Sequence, residues 1–187
     1  MHKEEFCFAR PHDVQYLHGM YLKKTRQLKE KGIMQWDEEY VKAAYSKNQI
    51  LKHVQKNEYA VLKAGGIIIS ALTISDESDK QPNAEPDCKY IDRLVSDKPG
   101  AGKKLLLKTM EHCRQMGVKK IRLDCQDQND KLKKYYLDIG FAITGKIKHK
   151  HFKGRHSCLM EYNLKKLKTS LLCARTARTR LNFKKNP

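Results

Sequence analysis

The chain has 187 residues, of which 40% are hydrophobic and 32% are charged, a balance typical of soluble globular proteins. This length predicts one compact domain with a hydrophobic core rather than two domains. No apolar run approaches the roughly 20 residues that a membrane helix needs, and the acidic start MHKEEFCFAR does not match an export signal. The six cysteines form no CxxC pair, which favours reduced thiols, a cytoplasmic protein and no zinc site.

Much of the formal net charge of +18 lies at the C-terminus. Residues 165–187 contain eight basic side chains and no acid, so we expect a domain over 1–164 and a flexible basic tail over 165–187. Binding to nucleic acid or another polyanion is the alternative role for this tail. Phe183 is its only aromatic ring, whereas single-strand binders interleave several. The sequence therefore favours a solvated tail over a nucleic-acid partner.

The first half of the chain predicts a strand, two helical regions and a hairpin. Alternating apolar residues predict a strand over 5–9, and helical spacing predicts a helix over 13–31 that ends at Gly32. A second helical region follows the acids at 37–39 and extends to Val54. The Ala64-Gly65-Gly66 turn between two apolar runs predicts a hairpin.

The second half predicts two strand-to-helix units followed by two strands. An exposed loop over 76–87 leads into the stretch from Tyr90 to Phe141, which reads as strand, helix, strand, helix. Two final strands are predicted over 142–148 and 157–162. This order predicts a mixed α/β fold with a mostly antiparallel sheet and helices on both faces.

The Pro99-Gly100-Ala101-Gly102 turn stands between a strand and a helix. Glycines at a helix N-terminus leave backbone N–H groups uncovered, and together with the helix dipole these groups can hold a phosphate. A nucleotide-binding P-loop would need Gly at position 97 and Ser or Thr at 104, where this chain has Asp97 and Lys104. The turn therefore predicts an anion site of another kind.

The stretch from Tyr90 to Phe141 resembles the GNAT superfamily of acyl-CoA-dependent N-acetyltransferases. In that family a strand is followed by a turn of the form [QR]-x-x-G-x-[GA] and a helix, and residues 97–102 are similar to it at both glycines. The segment from Asn129 through Tyr136 to Gly140-Phe141 is similar to the family pattern N-x-x-x-x-x-x-Y-x-x-x-G-F. Asp97 replaces the usual Gln or Arg, and we expect this acid to weaken the field of the turn slightly.

The resemblance implies acetyl-CoA as the cosubstrate, with its pantetheine arm between the fourth and fifth strands. There it would pair with the backbone of Leu94 and Val95 like an added strand, and the turn would hold the pyrophosphate. The lysines at 103 and 104 would add positive charge. The implied cofactor-binding residues are Leu94, Val95, Gly100, Ala101, Gly102, Lys103, Lys104, Asn129 and Tyr136.

Tyr136 is the candidate general acid because the family pattern places a tyrosine there. A phenol of pKa ~10 is protonated at neutral pH and can donate to a departing thiolate. The alternative is that Tyr136 only packs on the sheet. We expect the neighbouring Tyr135 to point elsewhere on its helix. A backbone N–H near Val95 would stabilise the oxyanion.

Asp124 is the candidate general base, since an amine acceptor is charged at pH 7 and must lose a proton. An Asp at a strand end is also a common structural acceptor, and that alternative stays open. Cys125 beside it is a small buried residue rather than a nucleophile. The histidines at 149, 151 and 156 lie among lysines without a carboxylate, which favours solvated side chains over a metal site.

Trp36 is the candidate residue for the acceptor pocket, because the resemblance places a Gly-Ile-x-Gln-Trp segment after the first helix. Packing in the core is the alternative. A cationic acceptor would need acidic walls, for which Glu38, Glu39, Asp92 and Asp124 are available.

The sequence thus predicts an N-acetyltransferase that moves an acetyl group from acetyl-CoA to a primary amine of a small molecule, or of a protein as the less favoured acceptor. The expected partners are this amine and, as an option, a second copy of the chain in a homodimer; no membrane partner is expected. Two other functions stay open: an acyl-CoA-binding sensor of the same fold without catalysis, and a basic nucleic-acid-binding protein.

Overall fold

A computed structural model describes residues 3–33, 36, 38–76, 85, 87–148 and 156–167. These residues form a seven-stranded sheet flanked by five α-helices. Within the same residues, no helix is long and apolar enough to cross a membrane.

The N-terminal elements follow the predicted order, with one difference. Strand β1 (Glu4–Phe8) precedes helix α1 (Val14–Glu30), and the second helical region consists of two helices, α2 (Glu38–Ala44) and α3 (Lys47–Gln55). Ser46 separates them because its backbone is extended, with ψ of 156°. An extended residue followed by a new helical start is the usual geometry of an N-cap, so the predicted single region is divided there.

The remaining elements alternate between strands and helices. They are β2 (Tyr59–Ala64), β3 (Ile67–Ser75), β4 (Cys88–Ser96), α4 (Ala101–Gln115), β5 (Lys120–Gln126), α5 (Asp130–Ile139), β6 (Ala142–Lys148) and β7 (His156–Asn163). The strand order is β1-β2-β3-β4-β5-β7-β6. Only the β4–β5 pair is parallel, and the other described pairs are antiparallel. The predicted mixed α/β fold is confirmed.

Two hydrophobic cores lie on opposite faces of the sheet. Strand β2 shows the division, because Ala60 and Leu62 belong to one core while Tyr59 and Val61 belong to the other. Successive strand residues point to opposite faces, and all four are fully buried. Helices α4 and α5 pack into the first core, and α1, α2 and α3 pack into the second. Helices therefore cover both faces, as the element order predicts.

The last described residues continue the domain beyond β7. A short 3-10 turn spans Leu164–Lys166, and Leu164 and Leu167 are buried in the core with α4. Residues 168–187, which carry most of the predicted basic tail, lie outside the described residues.

Candidate functional site

The parallel pair β4–β5 opens into a cleft after three residue pairs. Cys88, Lys89 and Tyr90 pair with Lys120, Ile121 and Arg122, but β4 runs on to Ser96 and β5 to Gln126. Among the described strands, no partner covers the edge of β4 that faces β5 beyond Tyr90. An uncovered strand edge presents backbone donors and acceptors that an extended ligand can use. The predicted divergence of the fourth and fifth strands is therefore present.

Strand β4 also contains a bulge at the cleft. Its pairing with β3 shifts between Ala71, which faces Val95, and Thr73, which faces Asp92. Arg93 lies inside this shift and has a φ of +59°. A non-glycine residue in this left-handed region costs on the order of 1–2 kcal/mol, so the surrounding structure must stabilise it. Bulges bend a strand and redirect its backbone groups, and this one lies in the part of β4 that lines the cleft.

A chain of buried hydroxyl groups holds the bulge in place. The hydroxyl of Tyr21 in α1 donates to the carbonyl oxygen of Arg93 at 2.6 Å, and the hydroxyl of Tyr59 donates to that of Tyr21 at 3.0 Å. Both tyrosines are fully buried. The N–H of Arg93 donates to Asp92 Oδ1 at 2.7 Å, and its guanidinium lies over the ring of Tyr45 at 4.9 Å. Arg93 is thus held in its left-handed conformation through both its own N–H and its own carbonyl oxygen.

The glycine turn leads from β4 into α4. Gly100 has a φ of +77°, which favours glycine because it has no side chain. The N–H of Ala101 donates to Lys98 and that of Lys104 to Gly100, at 3.2 and 3.1 Å. Among the described residues, the N–H groups of Gly102 and Lys103 donate to no acceptor. Two uncovered donors at the positive end of a helix fit an anionic group such as a phosphate.

Ion pairs flank this turn on both sides. Lys104 Nζ lies 2.8 Å from Glu4 Oε1 of β1, so its charge is shared with an acid rather than directed at the turn alone. Asp97 Oδ1 lies 3.3 Å from Lys23 Nζ of α1, in an ion pair without hydrogen-bond geometry. Lys23 offsets the negative charge of Asp97. Asp97 therefore weakens the positive electrostatic field of the glycine turn less than it would without Lys23.

A cavity of about 440 Å³ lies at the divergence of β4 and β5. Its walls come from α1 and the segment after it, from β4, and from β5 with the start of α5. The residues that line the cavity include Lys24, Leu28, Ile33, Trp36, Asp92, Arg93, Leu94, Val95, Asp124, Asn129, Tyr135 and Tyr136. The volume falls in the range of small-molecule sites, roughly 300–1,000 Å³.

Tyr136 lies in the cavity wall and is otherwise buried, with 6% of its surface exposed. Burial raises its pKa well above the ordinary value, with smaller contributions from Tyr135 and Cys125. No described residue forms a hydrogen bond with its hydroxyl. A protonated phenol without a partner, facing a cavity, suits a proton donor to a ligand atom. Its ring also packs against Phe141 at 5.7 Å, so the predicted packing role is present too.

Tyr135 does not point away from the site, and that expectation is wrong. Both tyrosines line the cavity, and their ring centroids are 5.1 Å apart. The Tyr135 hydroxyl lies 3.9 Å from where a Cβ on Gly102 would stand. Adjacent helix residues differ by about 100° in direction, and both reach the cavity because it extends along the side of α5 towards the glycine turn. Tyr135 therefore lies closer to the turn than the sequence suggests.

Asp124 and Asn129 line the cavity from β5 and from the start of α5. Asp124 Oδ2 accepts a hydrogen bond of 2.6 Å from Ser157 Oγ, which is the structural role that the sequence leaves open. Asn129 Oδ1 accepts from the N–H of Leu132 at 3.0 Å and caps α5. Asn129 thereby fixes the helix that carries Tyr136. Each residue has a structural partner and also faces the cavity.

Trp36 contacts both the cavity and the second hydrophobic core, so the packing role is present and its role in binding the acceptor stays a prediction. It lines the cavity, and it packs against Tyr21 and Tyr45 with ring centroids 5.7 Å apart in each case.

Two of the four acidic residues expected to line the cavity do not line it. Glu38 and Glu39 begin α2 and lie near Lys42, at 3.4 and 3.1 Å, because this first helical turn faces outward.

Three other expectations concern cysteine, histidine and metal. Burial raises the pKa of Cys125 to about 12, so its thiol stays protonated and is a poor nucleophile. Of the three histidines in the last loop, only His156 belongs to the described residues. No group of three potential metal ligands occurs within the described ranges.

Sequence reasoning does not identify several lining residues. Lys24, Leu28 and Ile33 come from α1 and the residues after it, and Arg93 comes from the bulge. The spacing of Lys24 and Leu28, four residues apart on one helix, places them on one face. This spacing shows that the two residues share a face of α1, but it does not show that this face lines the cavity.

Comparisons with known proteins agree with this geometry. The sequence model of the Acetyltransferase (GNAT) family matches residues 22–141. Among solved structures, the PaiA N-acetyltransferase from Thermoplasma acidophilum, in complex with coenzyme A, is 19% identical, with a TM-score of 0.65 over 86% of this chain and 99% of that one. The ribosomal-protein-alanine N-acetyltransferase from Brucella melitensis is 14% identical, with a TM-score of 0.66 over 85% and 99%.

A third structure, YncA from Salmonella typhimurium with its cofactor acetyl-CoA, is 16% identical, with a TM-score of 0.58 over 86% of this chain and 94% of that one. A comparison with curated proteins gave no match. The chain belongs to the Acetyltransferase (GNAT) family, because the family's sequence model covers more than half of it. The resemblance found in the sequence is confirmed, and family membership is consistent with acetyl-CoA as the cosubstrate.

Proposed function

We propose that this chain is an N-acetyltransferase that transfers an acetyl group from acetyl-CoA to a primary amine of a small molecule. The observation that carries the proposal is the cavity at the β4–β5 divergence, which is lined both by Tyr136 and by β4 where its edge is uncovered. The size of the cavity, about 440 Å³, favours a small acceptor over a protein segment.

The residues present fit the cosubstrate. The uncovered N–H groups of Gly102 and Lys103 suit the pyrophosphate, and the free edge of β4 at Leu94 and Val95 suits the pantetheine amides. When bound, acetyl-CoA supplies an acetyl group activated as a thioester. Gly100 and Ala101 shape the turn, Asn129 holds the start of α5, and Lys103 and Lys104 contribute positive charge near it.

In a direct attack of the acceptor amine on the thioester, different side chains carry out the two proton transfers. Asp124 accepts the proton that the acceptor ammonium must lose, directly or through water. A backbone N–H near Val95, on the cleft-facing edge of β4, donates to the carbonyl oxygen as negative charge develops. Tyr136 holds its proton, because burial raises its pKa, and gives it to the sulfur of the leaving group.

Ligand-dependent thermal unfolding tests this proposal. Acetyl-CoA at about 100 times its dissociation constant should add about 2.7 kcal/mol to the free energy of unfolding, and ATP or NAD at the same concentration should add nothing. A flat response to acetyl-CoA contradicts the proposal. A response to acetyl-CoA without turnover of any amine would favour the acyl-CoA-binding sensor instead.

The cellular location, the homodimer and the role of residues 165–187 stay predictions from the sequence. A nucleic-acid role for the basic segment predicts affinity that falls steeply with salt and is lost when 165–187 are deleted.

A further inference from the structure

Lys24 occupies an unusual place in the cavity wall. It lies on α1, it is half-buried, and it lines the cavity together with Leu28, Ile33 and Trp36. Those three neighbours are apolar or aromatic, so they offer the ammonium group no charge of opposite sign. Lysine side chains usually direct the ammonium group into water when their stem packs on apolar surface. Here the side chain lines the cavity instead.

Lys24 forms no ion pair with a carboxylate of the described residues. Among the described residues, none places a carboxylate oxygen within 4.0 Å of Lys24 Nζ, and the nearby Asp97 is paired with Lys23 at 3.3 Å. Burial lowers the pKa of Lys24, while Asp97 acts in the opposite direction from a distance. Partial burial of a charge without a partner is unfavourable. An anionic ligand group would supply the missing partner.

We infer that the acceptor is an amine that also carries a carboxylate, and that Lys24 binds this carboxylate. This inference rests on the proposed function, because it assigns the acceptor of the same site. The cavity offers both kinds of charge, since Asp92 and Asp124 line it as well as Lys24 and Arg93. The two acids suit the ammonium end of an amino-acid-like molecule, and Lys24 suits its carboxylate end.

The acceptor is a better source of this anion than the cosubstrate. The donors that suit the cosubstrate's phosphates are the N–H groups of Gly102 and Lys103, and neither residue lines the cavity. Lys24 shares its part of the wall with Leu28 and Trp36 from the N-terminal segment, whereas the pantetheine edge is on β4.

Matched pairs of amines test the inference. Each pair contains an amino acid and its carboxamide, which differ in charge but hardly in shape, and initial rates are measured with the full chain at saturating acetyl-CoA. The wild type should show a kcat/KM at least about tenfold higher for the carboxylate member, because a charge-assisted hydrogen bond is lost with the amide. The preference should appear mainly in KM.

Three variants connect the preference to Lys24. Lys24→Met removes the charge and keeps an unbranched side chain only one atom shorter, so it should bring the ratio within each pair close to one. Lys24→Arg should retain the preference. Lys29→Met, at an exposed lysine of the same helix, should leave the ratio as in the wild type. The dissociation constant of acetyl-CoA, measured by calorimetry, should be the same in the wild type and Lys24→Met.

The outcomes separate this inference from the proposed function. Weaker acetyl-CoA binding by Lys24→Met with an unchanged ratio would assign Lys24 to the cosubstrate, and a wild-type preference for carboxamides would also overturn the inference. If no pair is turned over, calorimetry of each member with the CoA-saturated protein decides, and absence of binding by both members overturns it. Failure of acetyl-CoA to bind the wild type would instead contradict the proposed function.

Discussion

The hydroxyl of Tyr21 donates to the carbonyl oxygen of Arg93 across 2.6 Å, joining residues that are 72 positions apart in the chain. Through this bond, helix α1 holds the left-handed residue of the β4 bulge. The Tyr21 side chain is fully buried and the bond is partly buried, so its loss leaves a carbonyl oxygen without its protein partner. The shape of the cleft therefore depends on a helix that does not contain the family motif.

Tyr21→Phe should lower both stability and activity. We expect the free energy of unfolding to fall by about 1–3 kcal/mol, since the carbonyl oxygen of Arg93 is left without its hydrogen-bond donor. We also expect kcat/KM to fall by a larger fraction than the free energy of unfolding, because the bulge is no longer fixed. Urea denaturation and initial rates measure the two effects. Tyr16→Phe on the same helix, where the side chain is exposed, should change neither.

A second substitution tests whether Tyr21 acts through the conformation of Arg93. Glycine adopts positive φ without steric cost, so Arg93→Gly in the Tyr21→Phe background should recover part of the lost activity. No recovery would mean that the hydroxyl of Tyr21 serves the site in another way.

Tyr136→Phe should lower kcat by about 10²–10⁴-fold, the usual contribution of a general acid, and leave the dissociation constant of acetyl-CoA nearly unchanged. The phenyl ring keeps its contact with Phe141, so the fold should be retained. Tyr135→Phe is the matched control, because it removes a hydroxyl from the same cavity and should keep most of the turnover. If Tyr135→Phe has the larger effect on kcat, the acid is assigned to the wrong tyrosine.

The pH dependence of kcat/KM should have a rising limb, and Tyr136 should contribute no falling limb up to pH 10. The rate rises as the acceptor amine loses its proton. Tyr136 does not titrate in this range, because burial raises its pKa above the ordinary value of 10.0, and the acid form persists as the pH rises. A falling limb near pH 8 or 9 that disappears in Tyr136→Phe would contradict this assignment.

Alanine at the two glycines of the turn should have opposite effects. Gly100→Ala should lower the free energy of unfolding by about 1–2 kcal/mol, because its φ of +77° is unfavourable for residues with a Cβ. Gly102 has no positive φ, and an added Cβ would meet only ordinary contacts at 3.6–3.9 Å. Gly102→Ala should therefore fold normally and gain up to about 1 kcal/mol from helix propensity. Thermal unfolding of the two variants checks the prediction.

The sequence predicted an anion site at the glycine turn from a short-range pattern, because a strand, two glycines and a helix follow one another there. Asn129 and Tyr136 were singled out by the resemblance to the GNAT family, and the sequence did not predict that Asn129 caps α5. The left-handed Arg93 has no such signal, because arginine does not favour positive φ. The place of Lys24 in the wall depends on how α1 docks on β4, which is a tertiary relationship.

The walls of the cavity come from separate segments, and this separation bears on how new specificities can arise. The glycine turn and Tyr136 lie within 97–141, whereas Lys24, Leu28 and Trp36 lie before residue 37. Under the proposed roles, substitutions in the earlier segment would alter the choice of acceptor while recognition of acetyl-CoA is inherited unchanged. Exchange of 22–36 between members of this family would be a route to transplanting acceptor preference, provided that Tyr21 is kept.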